Sequence, residues 1–306
     1  LVDAMEVFTG HRSVNRESRF DLYDAPIGVA LQIEPGCKSD PIIVPEHEWE
    51  VGNSINAFCV WQEDDALNLL YQTPKATCYA KSPDGYEWTR PSMNRVEWNG
   101  TSDNNIVVDT PLGASGYFED PSAPPNERYK AMGGHSFWVD VTTGEEVPSD
   151  EADELWRKWQ YGGRSYKGRR VVLRGHLHGW TSADRFEWTP ISGPLARYSV
   201  NGGIAARYDA DTGSYFAYMQ PQGAAPNELV GIGSGAPETE VVRRAIGISR
   251  TDDFSNWPAS KLVIHPDAQD PLDISFYGAC YFSYPQRTDL HAMILPVFHQ
   301  ITDHVD

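Results

Sequence analysis

The chain has 306 residues and a formal net charge of −18, with 43 acidic against 25 basic side chains. Such a balance excludes nucleic acid as a partner, since binding it relies on basic side chains that displace counterions. It also disfavours acidic polysaccharides, unless a local cluster such as Arg169, Arg170 and Arg174 or Arg243 and Arg244 overcomes the mean field. The 26 Gly, 22 Pro, 10 Trp and 15 Tyr favour short strands and tight turns over long helices, and no apolar run approaches the ~20 residues that span a bilayer.

Taken in chain order, the apolar and turn residues predict a series of hairpins. The first pairs Ile55–Trp61 with Leu67–Tyr71 across a Glu-Asp-Asp turn at 63–65. The second pairs Gly116–Phe118 with Tyr129–Met132 across a Pro-rich turn that runs through Asn126. An acidic, then basic, insertion over 142–168 follows, with a short helix expected over Asp150–Tyr161 and Asp150 as its N-cap. The third hairpin pairs Gly203–Tyr208 with Tyr215–Met219 across Asp-Thr-Gly at 211–213, and the fourth pairs Tyr277–Ser283 with Leu290–Leu295.

Downstream of the first three hairpins one short pattern recurs: Ser82-Pro-Asp-Gly-Tyr-Glu-Trp88, Ser182-Ala-Asp-Arg-Phe-Glu-Trp188, and Ser249-Arg-Thr-Asp-Asp-Phe-Ser-Asn-Trp257. Each reads as a strand that ends in a turn held by an aspartate, with the aromatic and the Trp folded back over the sheet. Asp84, Asp184 and Asp252 are therefore read as turn residues, and Trp61, Trp88, Trp188 and Trp257 as core. The tryptophans lie 100 and 69 residues apart, and the difference of about 31 matches the 142–168 insertion. A module near 70 residues with four strands predicts an all-β fold, a β-propeller of four-stranded antiparallel blades forming a single domain over 1–306.

These segments resemble the Asp-box turns of sialidase-like propellers. The stretches Tyr79–Asp109 and Arg243–Trp257, with Phe118-Glu-Asp-Pro121 ahead of Tyr129-Lys-Ala-Met132, are similar to five-bladed glycoside hydrolases such as families 32, 43, 68 and 117. Glu119 stands where the Arg-Asp-Pro motif of the invertase-type enzymes has its arginine. The resemblance implies a five-bladed β-propeller with one carboxylate per blade on the innermost strands, facing a central funnel. The positions this implies as catalytic are Glu50, Asp120 and Asp273; Asn201 occupies the third, where an acid is expected, and the intervals are 70, 81 and 72 residues. Two such acids cleave a glycosidic bond when one protonates the leaving oxygen and the other supplies negative charge or a nucleophile.

Around them, Asn201, Tyr277, Trp49 and His178 are candidates for binding substrate, Trp138 and Trp180 also lying outside the hairpin register and so able to offer a flat face to a sugar ring. His176 and His178 alternate along a strand and face one side, but no third ligand at metal spacing is visible. No cofactor is implied, although a structural calcium ion is admissible. Cys37, Cys59, Cys78 and Cys280 form no Cys-x-x-Cys pair and read equally as buried thiols or as one cross-strand pair at 59 and 78. Gly231–Gly235 reads as a flexible loop.

The function expected is that of a secreted or periplasmic glycoside hydrolase acting on an oligo- or polysaccharide, with carbohydrate as partner, no membrane, and the oligomeric state open. Two alternatives stand beside it. One is a carbohydrate-binding propeller without catalysis. The other is a polysaccharide lyase, which would group His176 or His178, Tyr277 and an arginine. Because four hairpin modules are visible and the chain stops at Asp303-His-Val-Asp306, which reads as the start of another inner strand, a fifth blade is expected to close through Ile27–Val44 or through residues beyond 306.

Overall fold

The computed structural model describes residues 12–14, 21–23, 38–51, 55–148, 150–152, 154–155, 165–198, 200, 203–220, 244–266, 270, 274–284 and 287–299. Its internal contacts divide the chain into two compact units, 1–42 and 43–306. In the first, β1 (Arg12–Val14) pairs antiparallel with β2 (Asp21–Tyr23).

The second unit is built from antiparallel sheets. Sheet I runs β3 (Asn56–Glu63), β4 (Ala66–Gln72), β5 (Thr77–Ser82), β6 (Ile106–Val108) in sequence order. Asp64 and Asp65 both take positive φ (50° and 57°), the conformation of a two-residue hairpin turn. Sheet II runs β7 (Gly116–Glu119), β8 (Tyr129–Asp140), β10 (Arg169–Ser182), β11 (Thr189–Pro190), and the short β9 (Ser165–Tyr166) joins β10. Sheet III runs β12 (Ala205–Asp209), β13 (Ser214–Met219), β14 (Ile246–Thr251), β15 (Lys261–Ile264). A last hairpin pairs β17 (Cys280–Tyr284) with β18 (Arg287–Ile294), and β16 (Ile274–Phe276) pairs with β19 (Val297–His299). All four predicted hairpins thus form; among the described residues three of them belong to sheets of four or more strands, and the fourth forms a two-stranded sheet.

Alternation along each strand sends side chains into two different cores. On β4, Leu69 and Tyr71 join Ala76, Cys78, Ala80 and Ile106 on one face. Leu70 faces the other way, with Cys59, Tyr79 and Val107, and there Tyr117, Phe186 and Trp188 of the second repeat pack against it. Phe118, Met132 and Leu177 of sheet II likewise share a core with Ala206, Ala217, Met219 and Trp257 of sheet III. Sheet I therefore packs on the second repeat, and sheet II on sheet III, through apolar faces of their central strands.

The recurring turn has the geometry its sequence implies. Ser82 Oγ accepts from the amides of Asp84 (3.2 Å) and Gly85 (2.7 Å), and Asp84 Oδ1 accepts from Tyr86 (2.8 Å) and Glu87 (2.9 Å). The second repeat is the same, with Ser182 and Asp184 in those places. In the third, the hydroxyl is Thr251 and the acid is Asp253, whose Oδ1 accepts from the Ser255 amide at 2.9 Å. Asp252 is thus not the turn residue: the repeat is displaced by one because strand β14 ends on Thr251. Each repeat Trp packs against a core, Trp257 at 3% exposure.

In sheet II, β8 and β10 stay in register over twelve pairs, from Tyr129↔Ser182 to Asp140↔Val171, well past the four residues of β7. The distal end carries the insertion and a small core of its own: Trp138, Val147, Leu155, Tyr166 and Val171. Residues 150–152 and 154–155 are helical, and 156–161 lie outside the described residues. Where the hairpin leaves the sheet, Gly133 and Gly134 let neighbouring backbone come close; a Cβ there would lie 1.9 Å from Gly113 O and 2.6 Å from Val200 O respectively. Cys59, Cys78 and Cys280 are free thiols. No helix among the described residues is long and apolar enough to cross a membrane.

Candidate functional site

The first strands of the four hairpins meet around one cavity. β3 contributes Phe58 and Val60, β7 contributes Tyr117 and Glu119, β12 contributes Arg207, and β17 contributes Tyr281 to a space of about 430 Å³. Towards the start of these strands it adjoins a second cavity of about 600 Å³, with Phe58 and Ser115 in both walls. The second is walled largely by apolar and backbone groups such as Ala57, Pro111, Gly113 and Val200. Towards the β12–β13 turn it adjoins a third of about 570 Å³, with Arg207 and Tyr281 common to both.

The polar groups of the central cavity are held from behind. The Tyr117 hydroxyl accepts from Arg185 Nε at 2.9 Å, and burial, followed by the neighbouring Cys59, pushes the phenol well above its ordinary range. Burial also pushes the Cys59 thiol up to about 12, leaving it protonated and unreactive at neutral pH. Glu119 is ion-paired with Arg128 and, at 3.8 Å, with Arg185. Tyr281, 9% exposed, shares a 2.7 Å hydrogen bond with His291 Nδ1. Of these, Glu119, Arg207 and Tyr281 are not among the residues the sequence marks as catalytic or substrate-binding. The signal that could have found Glu119 is strand alternation: Tyr117 and Glu119 share one face of β7, whereas Asp120, directly after the strand, is turned away from the cavity.

Asp120 is fully buried. Its Oδ1 accepts from the Ser122 amide (3.0 Å) and hydroxyl (2.6 Å), its Oδ2 accepts from the Tyr215 hydroxyl (2.6 Å), and Lys130 Nζ lies at 3.7 Å. Burial opposes ionisation, but Ser122, Tyr215 and Lys130 outweigh it and hold the pKa below the usual carboxylate value. Glu50 is fully buried as well. It accepts from the Tyr71 hydroxyl, from the amides of Glu46 (2.8 Å) and His47 (3.2 Å), and from Arg90 Nε (2.8 Å). Here too burial opposes ionisation and is outweighed, by Tyr71, Glu46 and Arg90. Neither carboxylate lines any of the cavities described above. Asp273 and Asn201 lie outside the described residues.

The remaining predicted residues are dispersed. Trp49 donates to Asn105 Oδ1 at 3.0 Å and stacks on His47, 4.5 Å between centroids. Trp138 is buried under the insertion, and Trp180 packs beside Ala131 and Leu112. Tyr277 is 41% exposed, with the Arg244 guanidinium 4.6 Å above its ring. His178 sits with His176 and, from the facing strand, His135, with ring centroids 4.1 to 5.4 Å apart. Burial, then the neighbouring His176 and His135, pushes the His178 ring down to about 4, so it is neutral at physiological pH. Among the described residues no group of three or more His, Cys, Asp or Glu is arranged to hold a metal ion. Neither His176, His178 nor Tyr277 lines the three cavities, so the residues of a lyase are not assembled there.

No family model matches the sequence, and no curated protein matches it. Solved structures it resembles include an N-acetylgalactosamine deacetylase from F. plautii in complex with blood group B trisaccharide, 13% identical, covering 91% of this chain and 71% of that chain with a TM-score of 0.43. A thermostable family-43 glycoside hydrolase is 10% identical, covering 76% of this chain and 61% of that chain with a TM-score of 0.39. A mutant α-L-arabinofuranosidase from Fusarium graminearum, in complex with an iminosugar inhibitor, is 14% identical, covering 76% and 54% with a TM-score of 0.36. The chain therefore spans about three-fifths and about half of the last two. At these identities and scores the likeness carries no functional argument.

Proposed function

We propose that residues 43–306 form a β-propeller whose axis is the line of cavities, and that a carbohydrate enters it to be cleaved by glycosidic hydrolysis. The observation that supports this reading is the meeting of four equivalent first strands at one cavity whose wall combines tyrosines, an arginine and a carboxylate. Sugar rings pack their C–H faces on aromatic walls while charged and amide groups take the hydroxyls, and both kinds of wall are present. Glu119 is the carboxylate that the central wall presents, and Asp273, just before the strands of the fourth hairpin, is proposed as its partner. Glu50 and Asp120 are proposed to position the loops and strands around the axis. Five-fold closure of the ring and a secreted or periplasmic setting belong to the same proposal.

A second reading, carbohydrate binding without cleavage, is favoured by the way Glu50 and Asp120 are both satisfied internally. One experiment separates the two. Release of nitrophenol from a panel of nitrophenyl glycosides is measured for the wild type and for E119Q, D273N and D120N, alongside oligosaccharide binding. Hydrolysis requires turnover in the wild type and a loss of at least 100-fold in E119Q or D273N with the fold intact. Binding without turnover supports the second reading, and absence of both contradicts the proposal.

A further inference from the structure

We infer that the central cavity receives an anionic sugar, one bearing a carboxylate or a sulfate ester, and that Arg207 is the residue that takes its charge. This rests on the carbohydrate reading above and names the substrate class of that site. Arg207 lies midway along β12 and is common to the central and third cavities. Most of its hydrogen bonding is unused: Nη1 donates to the main-chain oxygens of Tyr117 (3.2 Å) and Ala206 (3.0 Å). Among the described residues no side chain accepts from Nε or Nη2, and no carboxylate lies within 4.0 Å.

Three other arginines differ from it. Arg90 is paired with Glu50 and Glu46, Arg185 with Glu63 and Glu119, and Arg250 with Asp209. A chain with 43 acids and 25 bases has carboxylates to set against a half-buried guanidinium, and a cation removed from water is ordinarily given one. Burial acts against the charge of Arg207, yet a guanidinium does not deprotonate in a protein. The result is a fixed positive charge facing a cavity, with a planar pair of donors free to hold two oxygens of one anion.

The surroundings suit the rest of such a ligand. Tyr281 and Tyr117 line the same cavity as Arg207, and the one carboxylate of that wall among the described residues, Glu119, is already neutralised by Arg128 and Arg185. The third cavity adds Arg250 and His291, with Asp209 set against Arg250 at 3.9 Å. A uronic acid carboxylate and a sulfate ester present the same paired oxygens, so the two sources are distinguished by experiment.

Isothermal titration of the full chain with two matched series is the test. One is galacturonic acid oligomers against their methyl esters; the other is sulfated galactose oligomers against their desulfated counterparts. The acid member of one series is expected to bind at least tenfold more tightly than its neutral partner, and which series does so identifies the anion. In R207Q that preference collapses to about one. In the wild type, raising NaCl from 50 to 500 mM weakens the acid ligand and not the neutral one, a readout that stands if R207Q fails to fold. Equal affinity for acid and neutral partners, or a preference that persists in R207Q, overturns the inference while leaving the carbohydrate reading standing. Absence of any sugar binding overturns both.

Discussion

The hydroxyl of Tyr215, on the second strand of sheet III, donates a 2.6 Å hydrogen bond to the carboxylate of Asp120, at the end of the first strand of sheet II. This bond links two sheets that also share an apolar core, in addition to the bond from Arg207 Nη1 to the Tyr117 main-chain oxygen (3.2 Å). Lys130, 3% exposed and 3.7 Å away, completes the arrangement.

Replacing Asp120 by Asn should therefore lower stability by about 2–4 kcal/mol, since a buried charge network loses its acceptor. The pKa of Asp120 is depressed in the fold, below the ~3.9 of an unfolded aspartate. Its contribution is thus fully present above the unfolded value and is lost as pH falls through the folded one. Urea unfolding of both proteins between pH 3 and 7 should show the largest difference at neutral pH and a shrinking one in acid. A pH-independent difference would mean that Asp120 acts through shape and not charge.

Glu50→Gln should cost about 3 kcal/mol, because it leaves the Arg90 guanidinium, with a side chain only 7% exposed, without its buried partner. The paired replacement Glu50→Leu with Arg90→Met should be markedly less harmful than either change alone. Thermal unfolding of the three variants decides this, and simple additivity would show that the two side chains are not coupled.

Gly133→Ala should be among the most damaging small substitutions in the chain, at about 2–3 kcal/mol. Its Cβ would sit 1.9 Å from the backbone oxygen of Gly113, and neither backbone segment can swing aside as a side chain could. Gly203→Ala meets nothing within 4 Å and should change stability by less than about 0.5 kcal/mol. Denaturant midpoints of the two variants measure the contrast.

Asp84→Ala and Asp184→Ala should each lower the melting temperature by about 2–4 °C, and neither should alter sugar binding. Each removes two backbone hydrogen bonds from a turn and touches no cavity. A loss of binding with an unchanged melting temperature would assign these residues to the site instead.

Sequence alone made the hairpins legible because turn chemistry and strand alternation are local. Asp64-Asp65 and Asp211-Thr-Gly213 mark their turns without reference to anything distant. The repeated turn was equally clear, except where a threonine replaced the serine and moved the aspartate's role from position 252 to 253. Long-range partners were not legible. Nothing near Glu50 announces Arg90, 40 residues later, as the group that fixes it. Arg185 occupies the turn position held by Gly85 in the first repeat, with φ of +73° against +83°. Its side chain reaches back to Tyr117, 68 residues earlier, a link no local pattern encodes. The likeness to the Arg-Asp-Pro motif points to Asp120, whereas the place of Glu119 in a cavity wall shows only where four strands converge.

The cavity where the four first strands meet is proposed to hold the sugar. Amide hydrogen exchange with and without a saturating oligosaccharide found in the binding panel tests it most directly. Protection is expected to concentrate in residues 57–60, 113–119, 204–207 and 279–281, the four wall segments that meet there. Protection confined to other surfaces, such as the exposed pair Tyr277 and Phe298, would contradict it.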